Sequence, residues 1–167
     1  MSRFRTVTAA LLLTTTLVAC GSNEEEEPQP LGDDRIVGKQ WQVVGIYSNA
    51  ANSARVSDSM VDVPHLVLGE STALGNTGCS RFVAKMSFTD DEGKAATNEA
   101  ARLRFEEMDF DERDEECTGE NAWAHNQLSR LFVEGNEFEI FVDRNNQMIL
   151  TLIDGKVDSP SIRYAAM

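Results

Sequence analysis

The stretch Phe82-Val83-Ala84-Lys85-Met86-Ser87-Phe88 has the clearest hydrophobic pattern in the chain. Its large apolar residues recur at every second position, and Val83, Lys85 and Ser87 fill the positions between them. Because successive side chains of a β-strand point to opposite faces, this alternation predicts a strand with one buried face and one mostly solvated face.

Most segments around this stretch also have strand or turn patterns. Further strands are predicted at residues 38–48, 65–68, 71–74, 102–110, 138–142, 148–153 and 162–165. In the first of them, Trp41, Val43 and Tyr47 share one face at period two. Residues 102–110 change parity, so we expect a bulge near Glu106 and Glu107. Residues 49–59 are small, polar and turn-prone, and we expect a loop there.

One helical pattern follows the strand predicted at residues 102–110. Thr118 can cap its amino end, Glu120 suits the first turn, and Gly135 is the expected end. The apolar stripe recurs at helical spacing through Ala124, Leu128, Leu131 and Phe132. The chain is therefore expected to be mainly β (α+β).

The amino terminus consists of a basic head, an apolar run and a cysteine. A basic head with Arg3 and Arg5 precedes an apolar run at residues 7–18, which is too short to span a bilayer. The run ends in Leu17-Val18-Ala19-Cys20, which resembles a lipobox. The resemblance implies cleavage before Cys20 and diacylglycerol on its thiol. An ordinary secretion signal with an incidental cysteine is the alternative.

Composition divides the rest of the chain in two. Residues 22–34 hold four consecutive glutamates and two prolines with almost nothing apolar, as is typical of an extended tether. We therefore assign a signal peptide to 1–19, an acidic disordered tether to 20–35 and one domain to 36–167. Of the 167 residues, 148 remain after cleavage, which suits a single domain with a sizeable core.

The charge of the chain excludes some partners. The precursor carries −13, and because residues 1–19 hold two arginines and no acid, the mature chain carries −15. This argues against nucleic acid as a partner and against adhesion by charge to an anionic membrane. The membrane contact is therefore assigned to the lipid on Cys20. A charged partner would be cationic, although an acidic surface can also serve solubility alone.

The two remaining cysteines, Cys79 and Cys117, form an even pair in an oxidising compartment. A disulfide between them is expected, and two buried free thiols are the alternative.

Catalytic and metal motifs are absent from the sequence. It has no Gly-x-Ser-x-Gly, His-Glu-x-x-His or phosphate-loop motif, and His65 and His125 lie outside any nucleophile motif. The acidic run at residues 109–116 lacks the glycine of an EF-type loop and has Arg113 at a ligand position, so a hydrated loop is favoured over calcium. We predict no catalytic residue, no metal and no cofactor.

A groove is the remaining candidate site. A half-open sheet under one helix could leave an apolar trough for an acyl chain or peptide, lined by Phe82, Met86, Phe88, Leu128 and Phe132. The same side chains could instead fill the core completely, and this alternative is favoured.

The residue order resembles the META/HslJ-like (DUF306-type) domain of bacterial envelope and heat-shock-associated proteins. The matching residues are Trp41, Gly78-Cys79-Ser80-Arg81-Phe82, Met108, Cys117, Leu128 and the strand from Met148. The resemblance implies a mostly antiparallel, partly open barrel with one packed helix, similar to lipid-binding pilot proteins of type III secretion, and no catalytic set.

These observations predict a non-enzymatic lipoprotein of the cell envelope, anchored outside the cytoplasm and monomeric. Its role would be binding, or envelope stress or assembly, with a protein or lipid ligand. An acidic inhibitor of a cationic secreted hydrolase such as lysozyme is the alternative function.

Overall fold

The computed structural model of the chain describes residues 35–49, 52–57, 60–96 and 100–167. The predicted signal peptide, the lipidation at Cys20 and all of the predicted tether except Arg35 lie outside the described residues. Within those residues, no helix has both the length and the apolar character that crossing a membrane requires.

The described residues form nine strands and one helix. The strands are β1 Gln40–Asn49, β2 Asn52–Arg55, β3 His65–Leu68, β4 Thr72–Asn76, β5 Arg81–Thr89, β6 Arg102–Phe110, β7 Glu137–Val142, β8 Gln147–Leu152 and β9 Ser161–Ala166. The helix α1, Gly119–Leu131, lies between β6 and β7 in the chain.

Eight of the strands close into an antiparallel barrel. The pairing order is β1–β3–β4–β5–β6–β7–β8–β9, and β9 pairs in turn with β1. The prediction of a mainly β, antiparallel barrel with one packed helix is confirmed, but the barrel is closed and not partly open, because β9 pairs with β1. Strands β6 and β7 pair over only three residues each, at 102–104 and 137–139. The connection between these two strands, residues 111–136, contains α1.

The predicted bulge in β6 is present. Lys85 pairs with Glu107 and Met86 pairs with Phe105, so Glu106 is the extra residue. This extra residue changes the parity of β6, so that Met108 and Phe110 face the interior together with Leu103 and Phe105.

A second bulge, in β1, overturns one prediction. Val43 pairs with Tyr164 and Gly45 pairs with Arg163, so the extra residue is Val44. Val43 and Ile46 are both buried, and the parity of the strand therefore changes between them. The prediction that Tyr47 shares a face with Trp41 and Val43 is wrong, because the bulge turns Tyr47 to the outer face.

The expectation of a loop throughout residues 49–59 is also wrong. Residues 52–55 form β2, which pairs with β1 through Gly45–Arg55, Ile46–Ala54 and Tyr47–Ser53. Asn and Ser are poor strand formers, so the pairing with β1 and not local propensity sets this conformation.

The helix closes one end of the barrel. Gln127 of α1 accepts a hydrogen bond from Ser48 Oγ at the end of β1, at 2.8 Å. Just after the helix, Phe132 packs against Phe82 and Phe105, with ring centroids 5.2 and 5.4 Å apart. The helix ends at Leu131, before the predicted Gly135, because the chain turns at Phe132 and takes its ring into the core. Thr118 is the N-cap residue, as predicted, but its side chain makes no capping hydrogen bond.

Candidate functional site

The turn at residues 77–80, between β4 and β5, is covalently tied to the segment before α1. Cys79 and Cys117 form a disulfide, with Cα atoms 5.6 Å apart, which confirms the predicted pair. The backbone N–H of Asp114 also donates to the carbonyl of Cys79 at 2.9 Å. The Gly-Cys-Ser-Arg-Phe stretch therefore joins the barrel to the helix.

Hydrogen bonds from two buried hydroxyls strengthen this junction. Thr77 Oγ1 donates to the carbonyl of Ser80 at 3.0 Å, and Ser80 Oγ lies 2.7 Å from the carbonyl of Asp111, to which it donates. Both residues are buried. The two hydroxyls therefore tie this turn to neighbouring backbone carbonyls.

His125 of α1 joins the same network. Its Nδ1 lies 2.8 Å from Thr77 Oγ1. Which of the two groups donates this hydrogen bond depends on the tautomer of the His125 ring. The described contacts of His125 include no serine hydroxyl and no carboxylate. The other histidine, His65, lies on the outer face of β3 with its Nδ1 3.3 Å from the carbonyl of Val63.

The pKa of His125 is expected to make stability depend on pH. Burial, with a smaller contribution from the charge of Arg113, lowers its pKa below the ordinary 6.5. Below pH 6.5 the unfolded chain then binds a proton more readily than the folded chain, so stability falls as the pH falls toward the folded-state pKa. His125→Gln should lessen the loss of stability between pH 7.5 and 5.5, as measured by urea unfolding. An identical loss in the variant and the wild type would contradict this assignment.

The acidic run forms an exposed loop before the disulfide. All residues from Asp111 to Glu116 are exposed, and Asp114 Oδ1 accepts a hydrogen bond from the N–H of Glu116 at 2.9 Å. Within the described part of the chain, no group of three or more His, Cys, Asp or Glu side chains is placed to hold a metal ion.

The five predicted groove residues do come together, but in the interior. Their exposed fractions lie between 0% and 4%, for Phe82, Met86, Phe88, Leu128 and Phe132. The structure places them in one buried apolar cluster with Leu103, Phe105 and Phe138. These side chains therefore belong to the core, as the alternative interpretation expected, and do not line an open groove.

An exposed apolar row lies on the outside of the barrel. Val67, Leu74 and Val83 are register partners across β3, β4 and β5, so they lie side by side on one face. Leu74 and Val83 are each 52% exposed. We call these three residues the outer patch. This patch was not predicted from the sequence, and the signal available was Val83, an apolar residue at a position predicted to be solvated.

Polar residues border the outer patch on two sides. One neighbouring register row contains His65, Asn76 and Arg81, with Asp111 next to Arg81. On the other side, Lys85 and Glu107 form an exposed ion pair at 2.7 Å. The patch and the first of these rows line a shallow hollow of about 620 Å³. Such an arrangement can bind an apolar group and orient it by polar contacts at the border.

No family model matches the sequence, and neither does any curated protein. Among solved structures, the chain is similar to a protein from Burkholderia xenovorans determined by NMR. The two share 14% sequence identity with a TM-score of 0.57, over 79% of this chain and 83% of that one. At this level of identity, the similarity shows a common fold and carries no function from one protein to the other.

Proposed function

We propose that this protein is a non-enzymatic binding module of the bacterial cell envelope, of the META/HslJ-like type, anchored by lipid on Cys20. It binds a protein partner through the outer patch. The observation that carries this proposal is the side-by-side exposure of Leu74 and Val83 on adjacent strands. The signal-like residues 1–20 support the anchor, and the lack of a catalytic motif in the sequence supports a role without catalysis.

A protein is favoured as partner because the outer patch is shallow. Small-molecule sites enclose most of their ligand, whereas protein interfaces combine an apolar centre with a polar border. Arg81 and Asp111 place both signs of charge at this border. Three apolar side chains form a small centre, so we expect a weak or transient complex.

The test is photo-crosslinking in intact cells with a reactive amino acid at position 74. A specific crosslinked protein is expected, and Val83→Asp should abolish it by placing a charge in the apolar centre. Val133→Asp is the matched control, because Val133 is 45% exposed and lies outside the patch. Cys20→Ser should release the protein from the membrane fraction. If crosslinking at position 74 is insensitive to Val83→Asp, the patch does not bind the partner; membrane retention of Cys20→Ser would contradict the anchor.

The acidic loop favours a second candidate function, inhibition of a cationic secreted hydrolase such as lysozyme. Five carboxylates between Asp111 and Glu116 are exposed next to the disulfide that fixes the end of the loop. Inhibition of lysozyme that weakens with rising salt would favour this function, since screening weakens attraction between exposed charges.

A further inference from the structure

Two arginines lie on either side of a glycine on the outer face of the barrel, away from the outer patch. Gly45 of β1 pairs with Arg55 of β2 on one side and with Arg163 of β9 on the other. Residues directly opposite each other on neighbouring strands project from the same face of a sheet. The two guanidinium side chains therefore border a position that has no side chain of its own.

The side chain of Tyr47 lies over Gly45. A Cβ atom at position 45 would lie 3.2 Å from Tyr47 Cε2 and 3.3 Å from its hydroxyl oxygen, so the phenol ring leans over the glycine. The guanidinium carbon of Arg163 is 6.0 Å from the centre of the same ring. The result is a hollow of about 410 Å³ lined by Val44, Tyr47, Arg55, Gln147 and Arg163. We call it the arginine hollow.

The positive charge of the arginine hollow is not neutralised by the residues that the structure describes. Among these residues, the ion pairs involve Lys85, Arg102, Arg104 and Lys156, and neither arginine of the hollow. The chain has 28 acidic and 15 basic residues, yet these two neighbouring arginines form no ion pair with any carboxylate that the structure describes. They concentrate positive charge on an otherwise acidic protein.

Arg163 also has an unsatisfied donor. Its Nε atom is buried and has no hydrogen-bond partner among the described residues. A buried donor that loses water without gaining an acceptor destabilises the fold, so such groups usually mark a missing partner. An anion in the hollow would accept this hydrogen bond.

The geometry points to the arginine hollow as a binding site for a phosphate monoester or inorganic phosphate. Such a group carries between one and two negative charges near neutral pH and offers several acceptor oxygens, which matches two arginine forks. Gln147 and Tyr47 supply neutral donors beside them. Nucleic acid is disfavoured, because the net charge of −13 provides no extended basic surface for a phosphate backbone.

The neighbouring residues suggest one source of the phosphate. Arg163 pairs with Ile149 of β8, and Ile149 pairs with Phe141 of β7, so an apolar pair continues the same register row. Phe141 is 59% exposed. A phosphate attached to an acyl chain could contact both parts of this row, as in a lipid of the phosphatidic acid type.

The test uses the full mature chain with Cys20→Ser, so that no lipid anchor of its own interferes. Inorganic phosphate is titrated at constant ionic strength and followed by amide NMR shifts, with saturable shifts expected at Gly45, Tyr47 and Arg163. A second arm measures binding to vesicles of phosphatidylcholine with and without phosphatidic acid. Arg55→Gln and Arg163→Gln should each weaken binding about tenfold or more, since each removes charged hydrogen bonds.

Arg130→Gln is the matched control, because Arg130 is an exposed arginine on α1 that does not line the arginine hollow. Arg55 is exposed, so Arg55→Gln keeps the test valid even if Arg163→Gln fails to fold. Binding to the phosphatidic acid vesicles that Arg55→Gln weakens would identify a lipid source, and binding of phosphate alone would identify a soluble one. Absence of saturable binding in both arms, or equal binding by Arg55→Gln and Arg130→Gln, would overturn the proposal without affecting the outer patch.

Discussion

Replacing both Cys79 and Cys117 by serine is expected to lower the free energy of unfolding by about 4 kcal/mol. The disulfide joins residues 38 positions apart, and closing a loop of that length removes about this much free energy from the unfolded chain on the entropic model. The melting temperature should fall by about 10 °C. Urea unfolding of the double variant, followed by tryptophan fluorescence, measures the change.

The control for this prediction is Cys20→Ser, which removes a cysteine outside the disulfide and should leave stability unchanged. Wild-type protein treated with a reductant should lose the same stability as the double variant. A loss below about 1 kcal/mol would mean that the hydrogen bonds of Thr77 and Ser80 hold the turn without covalent help.

Phe132→Ala is expected to destabilise the protein by about 3–5 kcal/mol. Phe132 is 2% exposed, and its ring packs between those of Phe82 and Phe105 where the helix meets the barrel. Truncation leaves a cavity that the closed strands around it cannot easily fill. Urea unfolding measures the effect, and amide exchange should show that α1 loses protection first.

Phe141→Ala is the matched control, since it removes an identical side chain that is 59% exposed. Its effect on stability should stay within about 0.5 kcal/mol. If Phe132→Ala costs no more than Phe141→Ala, the side chain of Phe132 is not part of a filled core, and the groove would again be the better description.

The sequence predicted the strands whose pattern is local. Strand β5 alternates without interruption, and the change of parity in residues 102–110 revealed the bulge at Glu106. The bulge at Val44 gave no comparable signal, because Val and Ile on both sides of it suit either face of a strand. Strand β2 was also missed, because its residues have a low intrinsic strand propensity. They are extended because they pair with β1.

The candidate sites differ in how far the sequence could predict them. The disulfide was predicted from the even number of cysteines left after Cys20, together with the predicted oxidising compartment. The outer patch and the arginine hollow depend on register between strands that are distant in the chain. Gly45 lies between Arg55 and Arg163 only because β2 and β9 both pair with β1 at this glycine. No pattern in a single sequence specifies that alignment.

The short strand β2 has a consequence for how the protein behaves at high local concentration. On one side of β1, β3 covers residues 40–42, and β2 covers residues 45–49. Without β2, the second half of β1 would present free N–H and C=O groups along a sheet edge, which can recruit the same edge of another molecule. The four residues of β2 thus protect the barrel from edge-to-edge aggregation, a risk that rises wherever many copies are confined to one surface.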